Sequence, residues 1–88
     1  MKRIFKYNLE STGKQTLTLP YNSQLLSVAE QYENIVLYAL VDTKETKTKD
    51  VTIIIHGTGH NADDVDAAHF LGTVKLMNGQ LMFHVFYQ

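Results

Sequence analysis

The chain has 88 residues, of which 44% are hydrophobic, which fits one domain with one core. Because so short a chain buries only about 60–65% of its unfolded surface, we expect it to self-associate. The net charge of −1 provides no basic stripe for DNA or RNA, and the absence of cysteine excludes disulfides and thiolate metal sites and suits a reducing cytosol. No apolar stretch reaches the roughly 18 residues of a membrane span and no signal peptide is evident, so the sequence predicts a cytoplasmic protein without membrane contact.

The first half of the chain has strand patterns. Residues 2–9 and 16–19 alternate apolar and polar side chains, and the segment between them has turn chemistry. Together they predict a first hairpin that ends at Pro20, which has no N–H for a further ladder bond. Residues 25–30 favour a short strand. The continuous apolar run 35–41 predicts a strand covered on both faces, central in the sheet or in a subunit interface.

A polar connection over residues 42–50 predicts a solvated loop, after which residues 51–55 resume the strand pattern. Further along, Asn78-Gly79 separates two apolar segments and predicts a type I′ hairpin turn, since both residues tolerate positive φ. The register that follows pairs Met77 with Gln80, Lys75 with Met82, Val74 with Phe83 and Thr73 with His84.

This hairpin has two predicted faces. The apolar face contains Phe70, Val74, Leu76, Leu81, Phe83 and Val85. The mixed face contains Leu71, Thr73, Lys75, Met82, His84 and Phe86. We expect the mixed face to be a partner surface or the floor of a pocket.

The fold class that these patterns predict is mainly β. We expect a small antiparallel β-sandwich or barrel-like domain over residues 1–88, with at most one short helical turn. Asn61 is a candidate cap for that turn, with Asp63 and Asp64 in its first positions. A cation site formed by these acids with His60 is the alternative, but the spacing lacks the ligand order of a calcium loop. The sequence therefore predicts no metal site.

The polar loop after residue 55 is the clearest candidate for binding. The amides of Gly57, Thr58 and Gly59 suit an anion-binding nest, which His60 and the Thr58 hydroxyl complete with contacts to phosphate or ribose. A structural role for the histidines at the strand end is an equal alternative. The glycines flanking Thr58 disfavour a helix that would bring His56 and His60 to zinc, and no third ligand is evident.

Known catalytic patterns are absent. One G-x-G lacks the rest of the dinucleotide fingerprint and the lysine of a P-loop, and no serine has the setting of a nucleophile elbow. We therefore predict no catalytic residues, no cofactor and no enzymatic activity.

Five segments of the chain are similar to a family of small, largely uncharacterised tailed-phage proteins. They are Arg3-Ile4-Phe5-Lys6-Tyr7, Tyr38-Ala39-Leu40-Val41-Asp42, Gly57-Thr58-Gly59-His60, Phe70-Leu71-Gly72-Thr73-Val74 and Phe83-His84-Val85-Phe86. The resemblance spans nearly the whole length. This chain departs from the pattern at Phe5 and Tyr38, where tryptophans are expected, and at Asn61, where proline is common.

Small phage proteins of this size include sponges for nucleotide immune signals, among them the Sequestin and Lockin families, which bind ADP-ribose signals made by TIR proteins. By this analogy, we expect an anti-defence protein that sequesters a small ADP-ribose-derived or cyclic nucleotide in the host cytosol without cleaving it, as a homo-oligomer. The residues expected to bind the ligand are Tyr7 and Tyr38 for the base, the Gly57–Gly59 amides with Thr58 and His60 for phosphate, Asp64 for a ribose hydroxyl, and Arg3 or Lys75 for charge.

Two other functions remain as alternatives to a nucleotide sponge. A phage structural or adaptor protein would use the mixed hairpin face for a protein partner. A small phosphodiesterase would need His56, His60 and His84 to converge with acids or a metal.

Overall fold

The structure, a computed structural model, describes residues 1–11 and 13–88. It contains seven strands: β1 (Lys2–Leu9), β2 (Gly13–Pro20), β3 (Gln24–Gln31), β4 (Asn34–Asp42), β5 (Thr48–Gly57), β6 (His69–Leu76) and β7 (Leu81–Tyr87). The helical segments within these described ranges are two single 3₁₀ turns, Asp63–Val65 and Met77–Gly79. No helix in the same ranges is long and apolar enough to cross a membrane. The predicted mainly β class is confirmed, but at most one short helical turn was predicted and two are present in the described residues, the second at the Asn78-Gly79 turn.

The strands form two antiparallel sheets packed face to face. One has the order β1-β4-β3 and the other the order β2-β5-β7-β6. Each strand turns alternate side chains inward, as the two-residue period of extended chain requires. The domain is therefore a β-sandwich, one of the two predicted architectures.

The core lies between the sheets and is formed mainly by the two central strands, β4 and β5. The inward residues of β4 are Ile35, Leu37, Ala39 and Val41, each at most 1% exposed. On β5, Ile53 and Ile55 are fully buried. The apolar run 35–41 thus lies at the centre of its sheet, as predicted.

The predicted first hairpin is wrong. β1 pairs with β4 along its whole length, whereas β2 pairs with β5 in the other sheet. The connection between β1 and β2 therefore crosses from one sheet to the other. The alternation of side chains specifies which face of a strand is buried, but it does not specify which strand is the partner.

The Asn78-Gly79 turn and the strand register are confirmed, but the predicted pair of Met77 with Gln80 is wrong. The ladder ends at Leu76 opposite Leu81, and Met77 (φ 50°) and Gln80 (φ −73°) are not extended. Asn78 and Gly79 have φ values of 56° and 90°, as a type I′ turn requires, and the Gln80 N–H donates to the Met77 carbonyl over 3.1 Å. Thr73 lies opposite His84, as counted back from the turn.

The predicted faces of this hairpin need one correction, at a β-bulge. Phe70 pairs with Phe86, but Gly72 pairs with Val85, so Leu71 is an extra residue in β6. The bulge reverses the faces of the residues before it. Phe70 therefore lies on the outer face, and Leu71 packs against the core.

Candidate functional site

Two histidines lie side by side on the outer face of the four-stranded sheet. His56 on β5 is directly opposite His84 on β7. Both ring nitrogens of His84 are within hydrogen-bond distance of a hydroxyl: Nε2 lies 2.8 Å from Thr58 Oγ1, and Nδ1 lies 3.0 Å from Thr73 Oγ1. These two bonds fix the orientation of the His84 ring.

His56 is held by a carboxylate from the loop that follows β5. Its Nε2 lies 2.7 Å from Asp64 Oδ1, and its side chain is 18% exposed. Lys14 Nζ of β2 lies 3.9 Å from the other oxygen of Asp64. The hydrogen bond to His56 is the main cause that lowers the pKa of Asp64; desolvation opposes it, and the charges of His56 and Lys14 act in the same direction as the hydrogen bond.

We call His56, Thr58, Asp64, Thr73 and His84 the outer-face cluster. It consists of two hydrogen-bonded groups, His56 with Asp64 and His84 with Thr58 and Thr73, which adjoin where His56 and His84 are opposite each other. An imidazole held by a carboxylate beside a second oriented imidazole is an arrangement that supports proton transfer or contacts to an anion.

The glycine loop is a tight turn at the end of β5. The His60 N–H donates to the Gly57 carbonyl over 3.1 Å, and Gly59 has a φ of 89°, which identifies a type II turn. The His60 ring lies against Gly57, where an added Cβ would come within 2.8 Å of His60 Cε1. Glycine at this position therefore makes room for the imidazole.

The amides of this loop are largely used within the fold. The Gly57 N–H donates to His60 Nδ1 over 3.2 Å, and the Thr58 N–H donates to the Met82 carbonyl over 3.2 Å. The predicted nest of three free amides is therefore not formed, because the turn and the neighbouring strand take two of them. Since His60 Nδ1 accepts a hydrogen bond, the neutral ring carries its proton on Nε2.

A groove of about 370 Å³ lies beside this loop, at the end of the sandwich. It is lined by Gly57, Thr58, His60, Gln80, Leu81, Met82 and Phe83. Its volume is within the range of small-molecule sites, and its wall combines apolar side chains with an imidazole and a hydroxyl, as such sites commonly do.

The residues predicted to bind ligand are divided between the two sheets. The Gly57–His60 loop, Asp64 and Lys75 belong to the four-stranded sheet and its connections, and Lys75 lies opposite Met82. Arg3 and Tyr38 lie on the three-stranded sheet, opposite Val41 and Lys6. One chain therefore does not gather all of these residues in one pocket.

Tyr7, predicted to stack on a base, is half-buried in the structure. It lies opposite Leu37 and packs against the core, and burial raises the pKa of its phenol. Because its side chain is only partly covered, the stacking role stays a prediction.

Two features of the site are absent from the sequence-based prediction. His56 and His84 meet because β5 pairs with β7, two strands separated by β6 in the sequence, and no local pattern signals such a pairing. The exposure of Phe70 depends on the β-bulge in β6. The one local indication of this bulge in the sequence is Gly72, since a glycine inside a strand often marks a bulge. In residues 1–11 and 13–88, no group of three or more His, Asp or Glu side chains is placed to hold a metal ion.

A protein-family model covers the whole chain, residues 1–88. The chain belongs to that family, which is described as a domain of unknown function, DUF7352. No curated protein and no solved structure matches it. The function is therefore argued from the groove and the outer-face cluster.

Proposed function

We propose that this DUF7352 domain binds a small phosphorylated nucleotide in the groove beside the glycine loop and holds it without cleaving it, as a sponge for a nucleotide immune signal. The observation that carries the proposal is the placement of His60. Its Nδ1 is occupied by the Gly57 amide, so the Nε2–H is left to donate to a ligand oxygen at the wall of the groove. A sponge requires stable binding and no chemical step.

The apolar part of the groove suits the rest of such a ligand. Leu81 and Met82 are 41% and 37% exposed, and they lie on the same wall as Phe83. A base or sugar that covers them removes apolar surface from water, while a phosphate contacts His60 at the rim.

Self-association in the host cytosol is the second part of this proposal. β1 is an edge strand, and its outer edge pairs with no strand in the described residues. Ile4 and Phe5 on this strand are 62% and 42% exposed. An unpaired edge with apolar side chains favours contact with a second chain. The phage setting is supported by the resemblance of the glycine loop and the Phe83–Phe86 segment to tailed-phage proteins.

The test is a thermal-shift screen with ADP-ribose derivatives and cyclic di- and trinucleotides, in which the bound ligand is recovered after heat release. A ligand that binds only the folded chain raises its melting temperature, and we expect that ligand to be recovered intact. His60→Ala should weaken binding by about 10- to 150-fold, since one hydrogen bond to a charged group is lost. His69→Ala, which removes an exposed histidine outside the groove, is the matched control.

The proposal is wrong if no nucleotide shifts the wild-type melting temperature, or if His60→Ala binds as tightly as wild type. Because the variant leaves the Gly57 amide without its acceptor, its own melting temperature is measured without ligand first. Sedimentation of the same samples gives the number of chains in the assembly.

A phosphodiesterase is the second candidate, and the outer-face cluster is the observation that favours it. His56 held by Asp64 has the arrangement of a general base with its orienting carboxylate, and His84 lies across from it. His60, which the enzyme alternative also required, lies at the groove instead. Recovery of cleaved nucleotide, with turnover lost in His56→Ala and retained in His69→Ala, would establish the enzyme in place of the sponge.

A further inference from the structure

Phe70 and Phe86 form an aromatic pair on the outer face of the four-stranded sheet. They are opposite each other on β6 and β7, with ring centroids 5.4 Å apart and ring planes 60° apart. Phe70 is 60% exposed, whereas Phe83, three residues before Phe86 on β7, is 8% exposed. The Phe70 ring is thus open to a ligand, while Phe86 packs against it.

The β-bulge is what exposes this ring. In a regular ladder Phe70 would share the inward face of Val74, as the alternation of the sequence predicts. The extra residue, Leu71, turns Phe70 outward beside Phe86 and places its own side chain against the core. Bulges are known to redirect side chains next to functional sites, and they cost a regular pair of ladder bonds.

Hydrogen-bonded polar side chains and one buried apolar side chain lie next to the aromatic pair. In the adjacent row of the sheet lie His84 and Thr73, which hydrogen-bond to each other. In the same row as the two rings lies Ile54, which is fully buried although it is on the outer face. The loop that carries Asp64 is attached beside Ile54, because Asp64 contacts both His56 and Lys14, the neighbours of Ile54 on that face.

The exposed area favours a small planar ligand over a second copy of the chain. An aromatic side chain offers about 150–250 Å², so the exposed parts of Phe70, Phe86 and Met82 together amount to roughly 200–250 Å². A stable protein interface buries about 800 Å² on each partner. One heterocyclic base, in contrast, is covered by one or two rings of this size, and aromatic side chains on sheet surfaces are a common platform for bases.

We infer that the nucleobase of the ligand stacks on the ring face of Phe70, with the Phe86 ring packed at an angle beside it. This inference rests on the proposed function and gives the ligand its base-binding subsite. Met82, which lines the groove, is four residues before Phe86 on β7, or about 13 Å along the strand. A ligand with a base at one end and a second sugar or phosphate at the other reaches from the aromatic pair across the row of His84 to the groove at His60. The predicted base partners Tyr7 and Tyr38 have no part in this subsite.

The test uses the absence of tryptophan from the chain. Phe70→Trp introduces a single tryptophan, whose fluorescence we expect ADP-ribose or AMP to quench to saturation, because a stacked base contacts the indole. Ribose 5-phosphate, which has no base, should not quench it. Tyr32→Trp, at an 88% exposed position between β3 and β4 of the other sheet, is the matched control and should not respond to either compound.

Affinity for ADP-ribose is then measured by calorimetry on unlabelled variants. Phe70→Ala should weaken binding by about 5- to 100-fold, Phe70→Leu should weaken it nearly as much, and Phe70→Tyr should retain it, since stacking requires a ring and not merely an apolar side chain. The high exposure of Phe70 leads us to expect that all three variants keep the wild-type melting temperature.

The outcomes separate this inference from the proposed function. If wild type binds ADP-ribose or AMP and Phe70→Ala binds equally well, the aromatic subsite is wrong and the sponge proposal stands. If wild type binds no nucleotide, both are wrong. If Phe70→Ala reduces the mass in sedimentation without changing nucleotide affinity, the pair is a contact between chains, and the base-binding subsite is overturned.

Discussion

The Nε2 atom of His56 lies 2.7 Å from Oδ1 of Asp64, and this contact fastens the loop after β5 to the outer face of the sheet. Lys14 on the neighbouring strand approaches the second oxygen of the same carboxylate at 3.9 Å. One side chain of the loop therefore reaches two strands. Both contacts lie beside Ile54, which is in the same row of the sheet as the aromatic pair.

We expect the contribution of Asp64 to stability to depend on pH in the acid range. The pKa of Asp64 in the folded chain lies below its ordinary value of 3.8, mainly because His56 hydrogen-bonds to the ionised carboxylate. A depressed folded pKa gives a contribution that is fully present above the unfolded value and is lost as pH falls through the folded pKa. The difference in melting temperature between wild type and Asp64→Asn should therefore be present at pH 5 and shrink as the pH falls below 3.8 and through the folded pKa of Asp64.

Asp63→Asn is the control for this measurement. Asp63 lies in the same turn, but its carboxylate makes no hydrogen bond or salt bridge with the residues that the structure describes. Its substitution should leave the pH profile of wild type unchanged. If the melting temperatures of Asp64→Asn and wild type differ by the same amount over the whole acid range, the assigned contact is contradicted.

The burial of Ile54 on the outer face of its sheet gives a prediction about stability. This side chain is fully buried on the outer face of its sheet, whereas Ile4, on the other sheet, is 62% exposed. Ile54→Ala should destabilise the fold by about 2–4 kcal/mol, and Ile4→Ala by less than about 0.5 kcal/mol, as measured by urea unfolding. Faster hydrogen exchange at the Val65 and Ala68 amides in Ile54→Ala would show that the loop loosens with it. If Ile54→Ala lowers the free energy of unfolding by less than about 1 kcal/mol, the burial of this side chain is contradicted.

Local patterns were sufficient for the positions of the strands and for one hairpin turn, although β5 begins at Thr48, inside the segment 42–50 that was predicted as a loop. The Asn78-Gly79 pair sets both the turn and the register, because its positive φ values suit only a few residue types and counting from the turn is then unambiguous. The run from Ile35 to Val41 likewise predicts the central strand, since only a strand covered on both sides accepts continuous apolar residues.

Long-range pairing and the bulge were beyond these patterns. The first two strands alternate as a hairpin would, yet they belong to different sheets, because sheet partners are selected by the packing of the whole core. The histidine pair depends on the pairing of β5 with β7, and the position of Phe70 depends on one extra residue in β6. The loop Gly57–His60 was singled out correctly as a tight polar turn, but the internal use of its amides follows from its contacts with Met82 and His60.

The close approach of β6 to β3 gives a prediction at Gly72. A Cβ at this position would lie 2.8 Å from Cγ2 of Val28, which is a stiff β-branched side chain. Gly72→Ala should therefore destabilise the fold by about 1–3 kcal/mol. In the double variant with Val28→Ala the cost should be smaller than the sum of the single costs, because the second substitution removes the clashing methyl group. Additive costs in urea unfolding would place the strain elsewhere.

The type I′ turn gives the last prediction, at Asn78. This residue has φ 56° and ψ 32°, a left-handed conformation that asparagine and glycine tolerate and alanine does not. Asn78→Ala should lower the free energy of unfolding by about 1 kcal/mol, while Asn78→Gly, which relieves the backbone instead, should stay within about 0.5 kcal/mol of wild type. Equal m-values for the three proteins in urea would confirm that the effect is on stability alone. An alanine variant as stable as the glycine variant would contradict the left-handed conformation of Asn78. It would also contradict the strand register that places His84 opposite Thr73.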